Sequence, residues 1–393
     1  MNRRATGHGN RLVHVDALRG FALLGILAVN MALFSSGFAF TGIADPTFTS
    51  FTDKVVTWTV YFLFTMKFYL LFSFLFGYSF TLQLDSAQRK GRRFTPAFLR
   101  RLGALFVLGV AHAVLLFPGD ILSTYAVLGL LLLAVRRIRP RTAVVLAGLL
   151  TVATTGAVVL VALSGSLAAD PAAALVEGQR ATEALRGSPS EVIAEHVRTV
   201  PWILGTLVVQ GPLAFTSFLL GLAAGKIRAL GDLQRHQRVL RLLQWVGLPV
   251  GLSGSLVFAS FGGTHDTFAT AVGYATAPLL TAAYAATMLR VFSSPRAAVF
   301  TEFLAAAGRL ALSNYLLQSV ICALVFTGLG AGLIGQVSPG VVLSMTFAVF
   351  VVQIIGSYLW CQRFRYGPVE WLLRAVTYAS WNPRSAGRQQ VTA

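Results

Sequence analysis

His112, Asp120 and Lys67 are ionisable side chains set in otherwise apolar sequence. At bilayer depth such a group costs about 2.5–3.5 kcal/mol on insertion scales, so each one calls for a partner or a wet cavity. A neutral histidine can take a proton from an alcohol or amine nucleophile, and a nearby carboxylate fixes its tautomer and steadies its charged form. Asp120 follows the Pro118-Gly119 break that closes the stretch carrying His112. The spacing therefore predicts His112 as a general base with Asp120 in support, although a lone membrane histidine also serves to hydrogen-bond a neighbouring helix and Asp120 is also placed to N-cap the next one. Tyr125 follows one turn later. Lys67, inside Met66-Lys67-Phe68-Tyr69, reads either as half of an ion pair or as a cation that draws an anionic group into the membrane.

Amides at membrane depth form a second set: Asn30, Asn314 and Gln318. Asn314 and Gln318 stand four apart and share a helix face, where amides join helices or line a path. Asp16 and Arg19, three apart at the head of the first apolar run, either pair locally or line an inner mouth. Gly221-x-x-x-Gly225 and Gly328-x-x-x-Gly332 are small-residue packing motifs. His196 and His265 lack partners at metal-ligand spacing and read as surface positions, and no metal site is expected. There is no Walker loop, Gly-x-Ser-x-Gly elbow or His-Glu-x-x-His, so ATP hydrolysis, serine-hydrolase chemistry and zinc proteolysis have no motif behind them. Cys322 and Cys361 fall in separate apolar stretches, and no disulfide is expected.

The elements that must hold these residues are membrane spans. Of 393 residues, 55% are apolar and 12% charged, with a mean hydropathy of +0.70, against about 25% charge in a soluble domain. That excludes an ordinary soluble protein. Ten apolar stretches can be drawn, at 17–40, 55–84, 102–117, 121–135, 143–164, 200–225, 243–262, 268–289, 310–334 and 341–362. The expected fold is all-α, a polytopic helical bundle of about ten transmembrane helices. The short third and fourth stretches form either a tight hairpin or a pair that only partly crosses, which leaves an eight-span alternative. Residues 1–365 make one bundle, 166–199 an extracytoplasmic loop of two short capped helices, 366–382 an interfacial helix and 383–393 a disordered tail. The run after Arg3, Arg4 and Arg11 is too long for a signal peptide and reads as an uncleaved anchor.

The net charge of +18 is distributed as a vector. With the N-terminus in the cytoplasm, 27 of the 32 basic residues fall on inner segments, while nine of the 14 acidic residues fall outside. The positive-inside rule then puts both termini in the cytoplasm, and nucleic acid drops out as a partner in favour of the lipid bilayer. Arginine outnumbers lysine 28 to 4, which suits a GC-rich bacterial genome and hence a bacterial plasma membrane.

Val15-Asp16-Ala17-Leu18-Arg19-Gly20 through Asn30 resembles the opening of the YeiB-like bacterial membrane proteins, known as domain of unknown function 418. Lys67-Phe68 with Leu71 to Gly77, His112 through Asp120 and Tyr125, Gly308-Arg309 through Ser313-Asn314-Tyr315 to Ser319, and Arg363-Phe364-Arg365-Tyr366-Gly367-Pro368-Val369-Glu370-Trp371 are similar to successive blocks of that family. The resemblance, which spans nearly the whole chain, implies kinship with transmembrane acyltransferases. These take an acyl group from cytoplasmic acyl-CoA, as a co-substrate rather than a resident cofactor, to a small-molecule or glycan acceptor across the membrane. It also implies a shared cavity for Asp16, Arg19 and Asn30. This sequence lacks the histidine that the heparan acetyltransferases carry after their first span, which leaves His112 as the in-membrane histidine. The alternative is a transporter or exporter of an anionic metabolite, with Lys67 and Asp120 as pathway charges; a third is a scaffold with these groups packed dry.

Overall fold

The structure, a computed structural model, describes residues 6–164 and 170–380. Apart from three single-turn 3-10 segments, regular structure among the described residues is α-helical: α1 (Thr6–Phe34), α2 (Phe51–Leu63), α3 (Lys67–Arg89), α4 (Phe94–Leu115), α5 (Leu122–Ala134), α6 (Pro140–Ser164), α7 (Pro171–Arg186), α8 (Pro189–Lys226), α9 (Gln237–Ser260), α10 (Thr267–Phe292), α11 (Ala298–Arg309), α12 (Ala311–Phe326), α13 (Pro339–Arg363) and α14 (Pro368–Tyr378).

Among the described residues, seven segments are long and apolar enough to cross a bilayer: Val13–Phe34, Phe51–Arg89, Phe94–Leu115, Pro140–Ser164, Gln237–Ser260, Thr267–Phe292 and Pro339–Arg363. The count reaches nine if two bent pairs are each one span. One bend, of 67°, separates Pro189–Gly205 from Gln210–Lys226 within α8. Pro212 accounts for it, since its ring crowds the carbonyl four residues back and it has no N–H to give. The other, of 79°, separates α11 from α12. Every expected apolar stretch holds a helix, but α5 has only 13 residues, a rise of about 20 Å against a hydrocarbon core of about 30 Å. The third and fourth stretches are thus a hairpin with one short arm.

Of the two helices expected in the 166–199 loop, α7 forms with Asp170 as its cap, Oδ1 accepting from the Ala172 amide at 3.0 Å, and Pro171 at its first position. The second is not a separate helix. Ser188 and Glu191 do make a capping box, but α8 runs on from it into the bundle. The helix expected after Gly367 is α14, and the tail 383–393 lies outside the described residues.

Small residues let the bundle close. A β-carbon on Gly308 would stand 1.7 Å from the Asp16 carbonyl oxygen, and one on Gly20 2.1 Å from that of Leu304, so α1 and α11 touch backbone to backbone. Gly221 does the same for α8 against the Phe74 carbonyl of α3, and Gly225 makes room for the Thr81 side chain. Around these contacts lies a large apolar core, in which Phe76 stacks on Phe218 and Tyr125 meets Phe218 edge-on, with two smaller apolar clusters beside it.

The two ends of the bundle differ. At one end Arg19 donates to Ser79 Oγ, Arg100 reaches the Thr377 carbonyl in α14, and Arg92, Arg136, Lys226 and Arg228 line a common cavity. At the other, α7 packs its Gly178 on Phe38, Gly328 meets the Gly187 carbonyl, and His265 bonds the Tyr61 hydroxyl. The start of α1 and the whole of α14 lie at the basic end.

Candidate functional site

The α4–α5 hairpin places the central pair. His112 occupies the last turn of α4, and Asp120 precedes α5, accepting from the Ser123 amide through Oδ2 at 2.7 Å. The helices approach so closely because residue 109 is glycine: a β-carbon there would fall 2.4 Å from the Ser123 nitrogen and 2.6 Å from Asp120 Oδ2. His112 Nδ1 then lies 3.0 Å from Asp120 Oδ1, with the two side chains 0% and 1% exposed. The contact has ion-pair distance without the alignment of a hydrogen bond, so both atoms remain poised rather than fully satisfied. The negative end of α4 meets the ring and the positive end of α5 meets the carboxylate, so both helix dipoles support charge separation in that order.

The third member comes from α12. Ser319 Oγ lies 2.8 Å from His112 Nε2 and 3.3 Å from the Tyr315 carbonyl oxygen, while the Tyr315 ring sits 5.1 Å from the imidazole. Donor and acceptor at the Ser319–His112 contact follow the tautomer: with the ring proton on Nδ1, toward a carboxylate that only accepts, Nε2 accepts from the serine hydroxyl. Ser319, His112 and Asp120 thus lie in one buried row, the order of side-chain types that nucleophile, base and orienting acid would require. Sequence reasoning did not single out Ser319. A serine carries no burial penalty that would mark it, and it stands 207 residues from His112. The missing Gly-x-Ser-x-Gly elbow says nothing about this arrangement, because here the serine rides on a helix.

The other sequence candidates fall elsewhere. Tyr125 donates to the Tyr69 carbonyl at 2.9 Å and pairs with Ser73 Oγ at 2.6 Å, within the aromatic core. Asp16 and Arg19 form the local pair at 2.5 Å, at the basic end. Asn30 is half-buried on α1. Asn314 donates to the Ala307 carbonyl and to Ser357, Gln318 donates to Gln353 at 2.8 Å, and Gln353 returns a bond to the Asn314 carbonyl, a clasp between α12 and α13.

Lys67 heads α3, immediately after the left-handed Met66 that breaks the span between α2 and α3. It makes no ion pair among the described residues; its Nζ donates to the Tyr61 carbonyl at 2.8 Å and lies 5.6 Å from the Phe258 ring centroid. The break frees the last carbonyls of α2, and each finds a donor. Val60 takes the amides of Phe64 and Thr65, Tyr61 takes Lys67, Phe62 takes Ser255 and Leu63 takes Tyr284. Lys67 is a buried cation at the negative end of a helix, where hydrocarbon would leave those carbonyls bare.

Above the Phe117-Pro118 turn lies a cavity of about 170 Å³, also lined by Phe34, Phe40, Glu195, His196 and Thr327. His196 is buried rather than a surface position, its Nδ1 3.1 Å from the Val114 carbonyl one short step from His112. Over this cavity α7 is tied down by Glu177, Arg180, Glu195 and Arg198, with Arg180 to Glu195 at 2.7 Å and Arg198 to Glu177 at 2.6 Å. Two hydrogen bonds from Arg180 hold the Glu177 carboxyl below the usual glutamate range. Among the described residues no three His, Cys, Asp or Glu side chains are grouped to hold a metal, and both cysteines are free thiols.

The quoted C-terminal blocks also meet. Glu370 accepts from the amides of Leu312 and Ser313 at 2.8 and 3.0 Å and from Ser313 Oγ at 2.5 Å, so a residue of α14 caps α12 at its sharp bend.

Residues 224–380 match the family described as "Protein of unknown function (DUF418)". The chain is 34% identical over 394 residues to "Uncharacterized protein YxaH" of Bacillus subtilis (strain 168), covering 95% of this chain and 96% of that protein. It is 28% identical over 396 residues to "Uncharacterized protein YeiB" of Escherichia coli (strain K12), covering 95% and 98%, and 27% identical to a 39.9 kDa protein from the amylase 3′ region of Bacillus acidopullulyticus, covering 94% of each. No solved structure matches. An all-helical, apolar chain that aligns with these relatives from end to end belongs to the YeiB-like DUF418 family of membrane proteins.

Proposed function

We propose that this protein is an integral membrane acyltransferase in which Ser319 is the acceptor of the acyl group and His112 its base. The observation that carries the reading is the buried sequence Ser319 Oγ to His112 Nε2 at 2.8 Å and His112 Nδ1 to Asp120 Oδ1 at 3.0 Å. Ser319 Oγ attacks the thioester carbonyl of an acyl-CoA as its proton passes to Nε2; the C–S bond breaks and the thiol leaves with that proton. A hydroxyl or amine of the acceptor then attacks the Ser319 ester, gives its proton to His112, and Ser319 leaves as the free alcohol once that proton returns to its oxygen. Asp120 steadies the imidazolium formed in each half.

His112 stands 18 residues beyond Phe94 on α4, about 27 Å of rise from the basic end, and close beneath the cavity under α7. That cavity is the acceptor's side in this reading, with the basic end and both termini in the cytoplasm of a bacterial plasma membrane. Bilayer, acyl-CoA and a small-molecule or glycan acceptor are the partners it requires. The test is acyl transfer from a radiolabelled acyl-CoA in vesicles that hold the purified chain. Ser319→Ala and His112→Ala are each expected to reduce it by about 10²–10⁴-fold, and a fluorophosphonate probe should label the parent chain but not Ser319→Ala. Full transfer by folded Ser319→Ala overturns the assignment of the nucleophile, and full transfer by folded His112→Ala overturns the mechanism.

A further inference from the structure

The basic end holds a second, larger cavity of about 540 Å³, between the end of α3, the α5–α6 connection and the end of α8. Its lining carries Arg92, Arg136, Arg137, Lys226 and Arg228 against one carboxylate, Asp85. Positive charge near the inner leaflet is expected of any membrane protein, but that rule asks only for charge along the rim. Here cations from three separate segments face a single concavity, where their mutual repulsion calls for a counter-charge.

Two details bear on how these cations are held. Lys226 donates to the Ile138 carbonyl and Arg136 to the Leu133 carbonyl, neutral acceptors that fix each cation without cancelling it. Arg228 is held in the left-handed region, φ 54° and ψ 39°, a conformation that favours glycine. An arginine kept in a strained backbone suggests a use for its side chain. Gln88 and Thr95 add neutral donors to the wall, and Leu84 and Phe94 an apolar side.

We infer that this cavity is a binding site for a phosphate group bearing more than one negative charge or shared between several arginines, the chemistry common to an anionic phospholipid headgroup and a soluble phosphoanhydride. Guanidinium groups match phosphate oxygens in pairs, and basic pockets between helices at the cytoplasmic surface take such headgroups. The inference is independent of the acyl-transfer reading, since the cavity lies at the opposite end from Ser319 and His112.

The full chain, purified in neutral detergent without phosphate, is titrated with inorganic pyrophosphate by calorimetry and examined by native mass spectrometry for retained phosphatidylglycerol. Arg137→Gln combined with Arg228→Gly removes two charges, and glycine suits the backbone at 228, so the melting temperature should hold. Pyrophosphate affinity is expected to fall about 30-fold in that double variant, and to persist when both arginines become lysine. Phosphatidylglycerol on the parent but not on the double variant, displaced by pyrophosphate, identifies a lipid source. Pyrophosphate binding with no retained lipid identifies a soluble one. A parent chain that neither retains phospholipid nor binds pyrophosphate, or a double variant that binds as the parent does, overturns the inference.

Discussion

Asp120 carries two jobs that a substitution can separate. It caps α5 through the Ser123 amide and faces His112 Nδ1 with its other oxygen. Asparagine caps a helix as well as aspartate does, whereas alanine loses about 1 kcal/mol. Asp120→Asn is therefore expected to melt with the parent chain yet lose about 10²–10⁴-fold in acyl transfer, while Asp120→Ala loses both. Thermal melts and transfer rates on the two variants, read side by side, distinguish an orienting carboxylate from a plain cap. Equal activity in parent and Asp120→Asn rejects the catalytic half. Lys67 shows the opposite lesson at the same scale, for a lysine that read either as half of an ion pair or as a cation drawing in an anionic group donates instead to the carbonyl of Tyr61.

The elements are held by contacts between distant parts of the chain. The bend between α11 and α12 leaves amides at the start of α12 without helical partners, and Glu370 supplies its carboxylate to two of them and to Ser313. Glu370→Ala should lower stability by about 1–3 kcal/mol, seen as an earlier melt in detergent, and Glu370→Gln should recover part of the loss; an unshifted melt in Glu370→Ala excludes this cap. On the other end α7 is fastened by exposed ion pairs, which salt weakens. Because hydrogen bonds from Arg180 lower the folded-state value of Glu177, its contribution is present above the ordinary value of 4.5 and is lost as pH falls through the lower folded value. Spin labels at Glu183 and Val197 in a Cys361→Ser background are expected to report a broader distance distribution below pH 4.5, and with molar salt at neutral pH. A distribution that is the same across that range removes the ion pairs from the docking of α7.

Across the whole molecule, the charge vector corresponds to a real polarity, since segments assigned to the cytoplasm gather at one end of the bundle and the outer loops at the other. Cysteines placed at Gln88 and Ser190 test the compartments: in intact cells an impermeant maleimide should reach the second and spare the first, and the reverse pattern inverts the topology. The sequence by itself determined that the chain is a helical membrane bundle, where its ten apolar stretches lie, and which helices Asp170 and Ser188 start. These follow from hydrophobicity and spacing within a few turns of one helix, and such local physics is written in order along the chain. It also named His112 and Asp120, because charge in hydrocarbon is conspicuous. Only the tertiary structure decided that Ser319 completes them, that Lys67 and Glu370 secure broken helices, and that α5 stops short. Ser319 and Glu370 meet partners 207 and 58 residues away, and Lys67 answers a carbonyl that the break after α2 leaves bare; neither composition nor periodicity encodes such contacts.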